Sequence, residues 1–244
     1  MSFLWAYLTG HSMQGRPGEA DPATFAFLGH CVAYLGRSRA QIFQDCYVAY
    51  RLRDKREGYF VEFGATNGVD LSNTWLLERE LGWRGILAEP FPYWHAALRA
   101  NRSARIDERC VWRRSGERLE FSAGETIPEY ATLKSHAAGD QYAEDRRAAS
   151  RTILVDTVSL TDLLAEHGAP QDIDYLSIDV EGAELDVLDG LDFARYRPRI
   201  ITIEHNHQEP RRSEIQARLA PHGFVREFEA FSKFDDWYYH PDRC

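Results

Sequence analysis

Four apolar runs in this sequence end in acids and a turn. "YFVEFGATNG" carries Glu62 just ahead of Gly64 and Gly68, and "GILAEP" ends on Glu89. "YLSIDVEGAE" carries Asp179 at its tip with Glu181 and Glu184 behind it, and "IITIEHN" ends on Glu204, His205 and Asn206. A carboxylate at the end of a buried run is costly to desolvate unless it has a partner. These acids are therefore the residues best suited to hold a ligand or move a proton. Glu184 has a sufficient structural reason to be acidic, because the helix dipole stabilises acids in a first turn.

Gly64 and Gly68, spaced G-x-x-x-G, suit a tight strand-to-helix loop. Dinucleotide loops favour G-x-G-x-x-G, which lets the backbone approach a pyrophosphate. Ala65 and Asn67 interrupt that pattern, and Glu62 beside the glycines would repel a pyrophosphate. The G-K-[ST] of phosphate-cradling loops is absent. S-adenosylmethionine, with an ammonium, a sulfonium and no phosphate, fits a carboxylate there. Glu89, about 20 residues past the loop, is placed to accept hydrogen bonds from both ribose hydroxyls. The expected cofactor contacts are Glu62, Gly64, Ala65, Asn67, Gly68, Ser72, Asn73, Glu89, Pro90, Cys110 and Asp179. Ser72 to Thr74 open the following helix and are expected to face the cofactor's carboxylate from its N-terminus. An NAD-dependent oxidoreductase is the alternative, disfavoured by the missing third glycine and by Glu62. A protein of the same fold that binds without catalysis is the other.

Strands and helices alternate from residue 58 onward, which implies a parallel sheet covered by helices on both faces. Ligands in such sheets sit at the carboxyl ends of the strands. Every acid named above falls at such an end. The third strand is expected over "ARIDERCVW", with a further edge strand at "LEFSAG". "FVREFEAF" and "DWYYH" are expected to close the chain as an antiparallel hairpin. Residues 1–57 are read as a helical segment, a cap or an oligomerisation arm. Residues 58–244 are read as one domain, and residues 123–150, polar and aperiodic, as an inserted loop. Lys134, Ser135 and His136 in that loop are candidates to close over a substrate, and Trp94 is a candidate to stack on one.

The net charge of −9, from 38 acidic and 29 basic residues, argues against bulk nucleic acid as the partner. The four cysteines include no C-x-x-C pair, and no run approaches the ~18 apolar residues of a membrane span. A cytoplasmic protein with no membrane partner is the expectation.

The blocks "QDCYVAYRL", "GYFVEFGATNGVDLSNTWLLE", "GWRGILAEP", "VDTVSLTDLL", "IDYLSIDVEGAELDVLDGL", "ITIEHN" and "FSKFDDWY", in that order, resemble the FkbM family of S-adenosylmethionine-dependent methyltransferases. The resemblance covers residue 40 to the C-terminus. It implies an α/β, class I methyltransferase (Rossmann-like) fold: doubly wound, mostly parallel, with an antiparallel C-terminal strand. It also implies O-methylation of a sugar or natural-product hydroxyl, so the partner is a small-molecule or glycan acceptor. The family usually has an aspartate where this chain has Thr66-Asn67. Asp179 or His205 is the expected base. The set Asp179, Glu204 and Asn206 is similar to the magnesium site of catechol O-methyltransferase-like enzymes, and oxygen ligands suit that cation.

Overall fold

The computed structural model describes residues 22–124, 132–133 and 150–244. Lys134, Ser135 and His136 lie outside them. Two helices come first, α1 (Pro22–Ala33) and α2 (Gln44–Arg51). Strand β1 (Tyr59–Phe63), helix α3 (Trp75–Leu81), strand β2 (Arg84–Ala88), helix α4 (Pro92–Asn101) and strand β3 (Arg105–Asp107) follow. Next are β4 (Cys110–Trp112), β5 (Arg118–Gly124), β6 (Thr132–Leu133), β7 (Ser150–Ser159) and α5 (Leu160–Glu166). The chain then runs β8 (Asp172–Ile178), α6 (Glu184–Asp189), β9 (Arg197–Glu204), α7 (Glu209–Leu219), β10 (Val225–Glu227), α8 (Glu229–Ser232) and β11 (Asp235–Tyr239).

The main sheet has seven strands in the order β10-β11-β9-β8-β1-β2-β3. All pair in parallel except β11, which runs antiparallel to both neighbours. This is the mostly parallel, doubly wound sheet that the resemblance implies, with its antiparallel strand in the expected place. A second sheet of four strands, β4-β7-β5-β6, was not expected as a separate unit. The run "ARIDERCVW" is two strands rather than one. Asp107 Oδ1 accepts the Arg109 backbone N–H at 3.0 Å and its carboxylate grips the Arg109 guanidinium. The chain turns there, so β3 pairs with β2 while β4 leaves to pair with β7.

Local sequence explains several boundaries. Ser159 caps α5, its hydroxyl accepting from Asp162 N at 3.1 Å. Ser72, two residues ahead of the N-cap Thr74, holds the start of α3 by accepting from Trp75 N at 3.1 Å. Within the segment read as helical over residues 1–57, α2 begins only at Gln44, because Phe43 takes a left-handed φ of 68° before it. Upstream, Ala40 instead pairs with Leu71 in a parallel bridge.

The two faces of the sheet bury two cores. On one face Phe60, Tyr175 and Ile200 pack with α1, α2 and α3 through Phe27, Tyr47, Leu76 and Trp237. Tyr47 stacks on Trp237 at 4.8 Å, and Phe27 stacks on Phe228 at 4.8 Å. Helices α1 and α2, the described helices of the N-terminal segment, are thus built into the domain's core. On the other face Val61, Phe63, Leu176, Ile201 and Ile203 pack against α5 and α7. Side chains alternate along a strand, so Glu62 shares the face of Phe60, and Thr202 and Glu204 share that of Ile200. The sheet thereby delivers its acids to the side covered by α2 and α3.

Candidate functional site

A pocket of about 320 Å³ opens at the carboxyl ends of β1, β2 and β8. Gly64, Ala65, Ser72 and Asn73 line it from the β1–α3 loop, and Glu89, Pro90 and Cys110 line it from the next strands. Asp179 and Glu181 line it from the tip of β8. Among the described residues five acids, Glu62, Asp70, Glu89, Asp179 and Glu181, border it, against the single guanidinium of Arg109.

Gly64 sits at φ +70°, and a Cβ there would lie 2.1 Å from the Asp179 carbonyl oxygen. Only glycine lets β1 and β8 end this close together, which brings the loop and Asp179 into one wall. Glu62, 3% exposed, is tied inward. Its carboxylate accepts from Ser72 Oγ at 3.1 Å, Asn73 N at 2.7 Å and Thr74 Oγ1 at 2.5 Å, and Arg102 Nη1 lies 3.7 Å away. Glu62 therefore serves first as the internal anchor of the loop.

Glu89 accepts from Thr66 N at 2.9 Å and Phe91 N at 2.8 Å. Burial pushes its carboxyl up to about 7 despite both bonds. Asn67 uses its side chain within the loop: Oδ1 accepts from Val69 N and Asp70 N, each at 2.9 Å, and Nδ2 donates to Asp70 Oδ2. Asn67 and Gly68 are not among the pocket-lining residues. A Cβ on Gly68 would meet Leu98 Cδ1 at 2.7 Å, so this glycine serves packing against α4. Cys110 borders the pocket as a neutral thiol, pushed up to about 12 by burial.

Asp179, Glu181 and Glu204 each offer a carboxylate oxygen within 4.8 Å of the others. Burial, then the charges of Glu184 and Glu62, push Asp179 up to about 7, and a hydrogen bond with Glu204 works the other way. Burial and the Asp179 charge raise Glu204 well above the usual carboxylate range. Asp235, opposite Glu204 in the ladder, is raised for the same first reason and accepts from Gln44 Nε2 at 2.8 Å.

His205 is placed differently from the expected base. It is 2% exposed and outside the pocket lining. Its Nδ1 accepts from His207 N at 3.1 Å and its Nε2 donates to the Asp235 carbonyl at 3.1 Å. Both nitrogens are occupied, and burial lowers its pKa, so the ring is a neutral brace for the end of β9. Asn206 takes a left-handed φ of 49°, its backbone N–H bonded to the Phe234 carbonyl at 2.9 Å. Glu181 brings a third carboxylate to the tip beside Asp179 and Glu204. Residues that sequence alone did not single out complete the pocket: Gln41, Asp70, Arg109, Phe121 and Leu133. Arg109 pairs with Asp107 and, at 2.6 Å, with Glu166. Phe121 and Leu133 come from the second sheet, which forms part of the wall. No described helix is long and apolar enough to cross a membrane.

The family described as Methyltransferase FkbM domain matches residues 62–237. No curated protein matches the chain. Among solved structures the chain is similar to precorrin-6y C5,15-methyltransferase from Geobacter metallireducens GS-15, at 12% identity and a TM-score of 0.39, over 80% of this chain and 84% of that one. It is also similar to an O-methyltransferase from Bacillus cereus in complex with SAH, at 15% identity and a TM-score of 0.36, over 98% of this chain and 89% of that one. The family match spans most of the chain: it belongs to the FkbM methyltransferase family and is an S-adenosylmethionine-dependent methyltransferase.

Proposed function

We propose that this FkbM-family enzyme transfers its methyl group to a hydroxyl of a sugar or natural product, with Asp179 receiving the hydroxyl proton. One observation carries the reading: Asp179, half-buried at the tip of β8, lines the pocket, its backbone carbonyl packed against Gly64 of the loop. Glu62 and the β1–α3 loop surround the methionine end of the cofactor, Glu89 accepts the ribose hydroxyls, and Pro90 and Cys110 border the adenine. The acceptor oxygen attacks the methyl carbon in line with the carbon–sulfur bond. The new carbon–oxygen bond forms as that electron pair returns to sulfur. The sulfonium becomes a neutral thioether, and the proton passes to the carboxylate. Holding the reactants in contact supplies much of the acceleration, and a positioned base adds about 100- to 10,000-fold.

The same tip suits a hard cation. Its donors are all oxygen, and Glu204 Oε2 is buried with no hydrogen-bond partner among the described residues. Mg²⁺ would be held by Asp179, Glu181 and Glu204, and when bound would polarise the acceptor hydroxyl. The test is product mass and linkage after incubation with S-adenosylmethionine and a panel of glycans and hydroxylated metabolites, with and without EDTA. A methyl ether is the expected product. Methylation confined to nitrogen or carbon acceptors would overturn the reading. Full activity in EDTA would remove the cation and leave the carboxylates acting alone.

A further inference from the structure

We propose that Arg102 is a positioning residue that clamps the cofactor loop from behind. It follows the last turn of α4, its side chain is 0% exposed, and it does not line the pocket. It therefore acts on the ligand through the loop. Nη1 donates to the Gly68 carbonyl at 3.0 Å and to Ser72 Oγ at 3.1 Å, and Nη2 donates to Thr74 Oγ1 at 2.8 Å. Nε donates to Glu78 Oε2 at 2.8 Å, which aims the guanidinium from the α3 side.

The loop is held between two buried charges. Ser72 Oγ accepts from Arg102 and donates to Glu62, and Thr74 Oγ1 does the same. Each hydroxyl thus bridges the guanidinium of Arg102, just past α4, to the carboxylate of Glu62 on β1. Asn101, the neighbour of Arg102, adds a bond from Nδ2 to the Asn67 carbonyl at 2.9 Å. Gly68 makes room for the clamp: a Cβ there would meet Arg102 Cγ at 2.6 Å. The clamped residues hold in place Thr66, Asp70, Ser72 and Asn73, which line the pocket. Lysine cannot reproduce four bonds spread over three nitrogens of a planar fork.

The inference rests on the cofactor assignment proposed above, in which the loop faces the methionine end and Glu89 the nucleoside end. It predicts that loosening the clamp harms one half of the ligand more than the other. The experiment is calorimetric titration of wild type, Arg102→Lys and Thr74→Val with S-adenosylhomocysteine and, separately, with adenosine, well below each protein's melting temperature. Each variant should bind S-adenosylhomocysteine about tenfold or more weakly, the scale of one lost charge-assisted hydrogen bond. Adenosine affinity should change by less than about threefold in the same proteins, a difference too small for one such bond. Unchanged S-adenosylhomocysteine affinity in a folded variant, or equal loss for both ligands, would overturn the clamp while leaving the cofactor assignment intact. Wild type that fails to bind S-adenosylhomocysteine would overturn both. Thr74→Val keeps Arg102 in place, so the clamp stays testable if Arg102→Lys does not fold.

Discussion

With Glu89 as the proposed acceptor of the ribose hydroxyls, one proton links cofactor binding to stability. Burial moves its carboxyl from 4.5 to about 7, and the backbone N–H groups of Thr66 and Phe91 only partly offset that. A group whose pKa is raised on folding contributes stability in full below its unfolded value and loses it as pH rises through the folded one. At about 1.4 kcal/mol per pH unit, the rise from 4.5 to about 7 corresponds to about 3 kcal/mol, lost between those limits and constant above. Glu89→Gln removes the titration. Urea unfolding of both proteins between about pH 5 and pH 8 would give two stability curves, and other titrating groups cancel in their difference. That difference should fall by about 2–3 kcal/mol up to neutrality and then flatten. Ribose hydroxyls donate to the charged form, so S-adenosylhomocysteine should bind wild type more tightly as pH rises through 7, and the variant weakly at every pH. Saturating ligand should also shrink the pH dependence of wild-type stability. Parallel stability curves, or equal affinity in the two proteins, would refute the reasoning.

Gly64→Ala puts a methyl group against a backbone oxygen at a left-handed φ, where neither side yields cheaply. It should lower stability by roughly 2–5 kcal/mol in thermal or urea unfolding. A change under about 0.5 kcal/mol would show that β1 and β8 separate without cost. Asp179→Asn should cut turnover by about 100- to 10,000-fold in a methyl-transfer assay with little change in S-adenosylhomocysteine affinity. Turnover at the wild-type rate would move the base elsewhere. Phe27→Ala, deep among Tyr47, Phe228, Phe231 and Trp237, should cost about 3–5 kcal/mol and lower the melting temperature of the whole domain in one transition. A separate low-temperature transition would mean that α1 is not part of the core.

The parallel sheet, its antiparallel strand and the positions of Glu62, Gly64, Glu89 and Asp179 were legible because each depends on a local pattern. An apolar run ends, a glycine or proline turns the chain, and an acid stands at the edge. The break between Asp107 and Cys110 was not legible, because it follows from which strand each half pairs with. β4 meets β7 far along the chain, Cys110 lying opposite Thr157. The role of Arg102 was hidden for the same reason: nothing in "YWHAALRANR" says which loop the guanidinium will meet. His205 and Asn67 show a different limit. Their chemical types suggested a base and a ligand contact, but each spends its polar atoms on groups of the protein, His205 on backbone and Asn67 on its own loop. Residue type alone does not reveal that expenditure.

Strand β11 fits between β9 and β10, pairing with both. A ribosome delivers Asp235–Tyr239 after every other strand of the sheet, yet these residues fill an interior slot. Until they emerge, β9 keeps an open edge, β10 has no partner, and Tyr47 lacks the indole of Trp237. Nascent chains halted before Asp235 should thus be held as incomplete intermediates with an exposed edge, open to chaperone capture. Glu204 would also lack its neighbour Asp235, so the acidic tip matures in the same late step that locks the N-terminal helices onto the sheet.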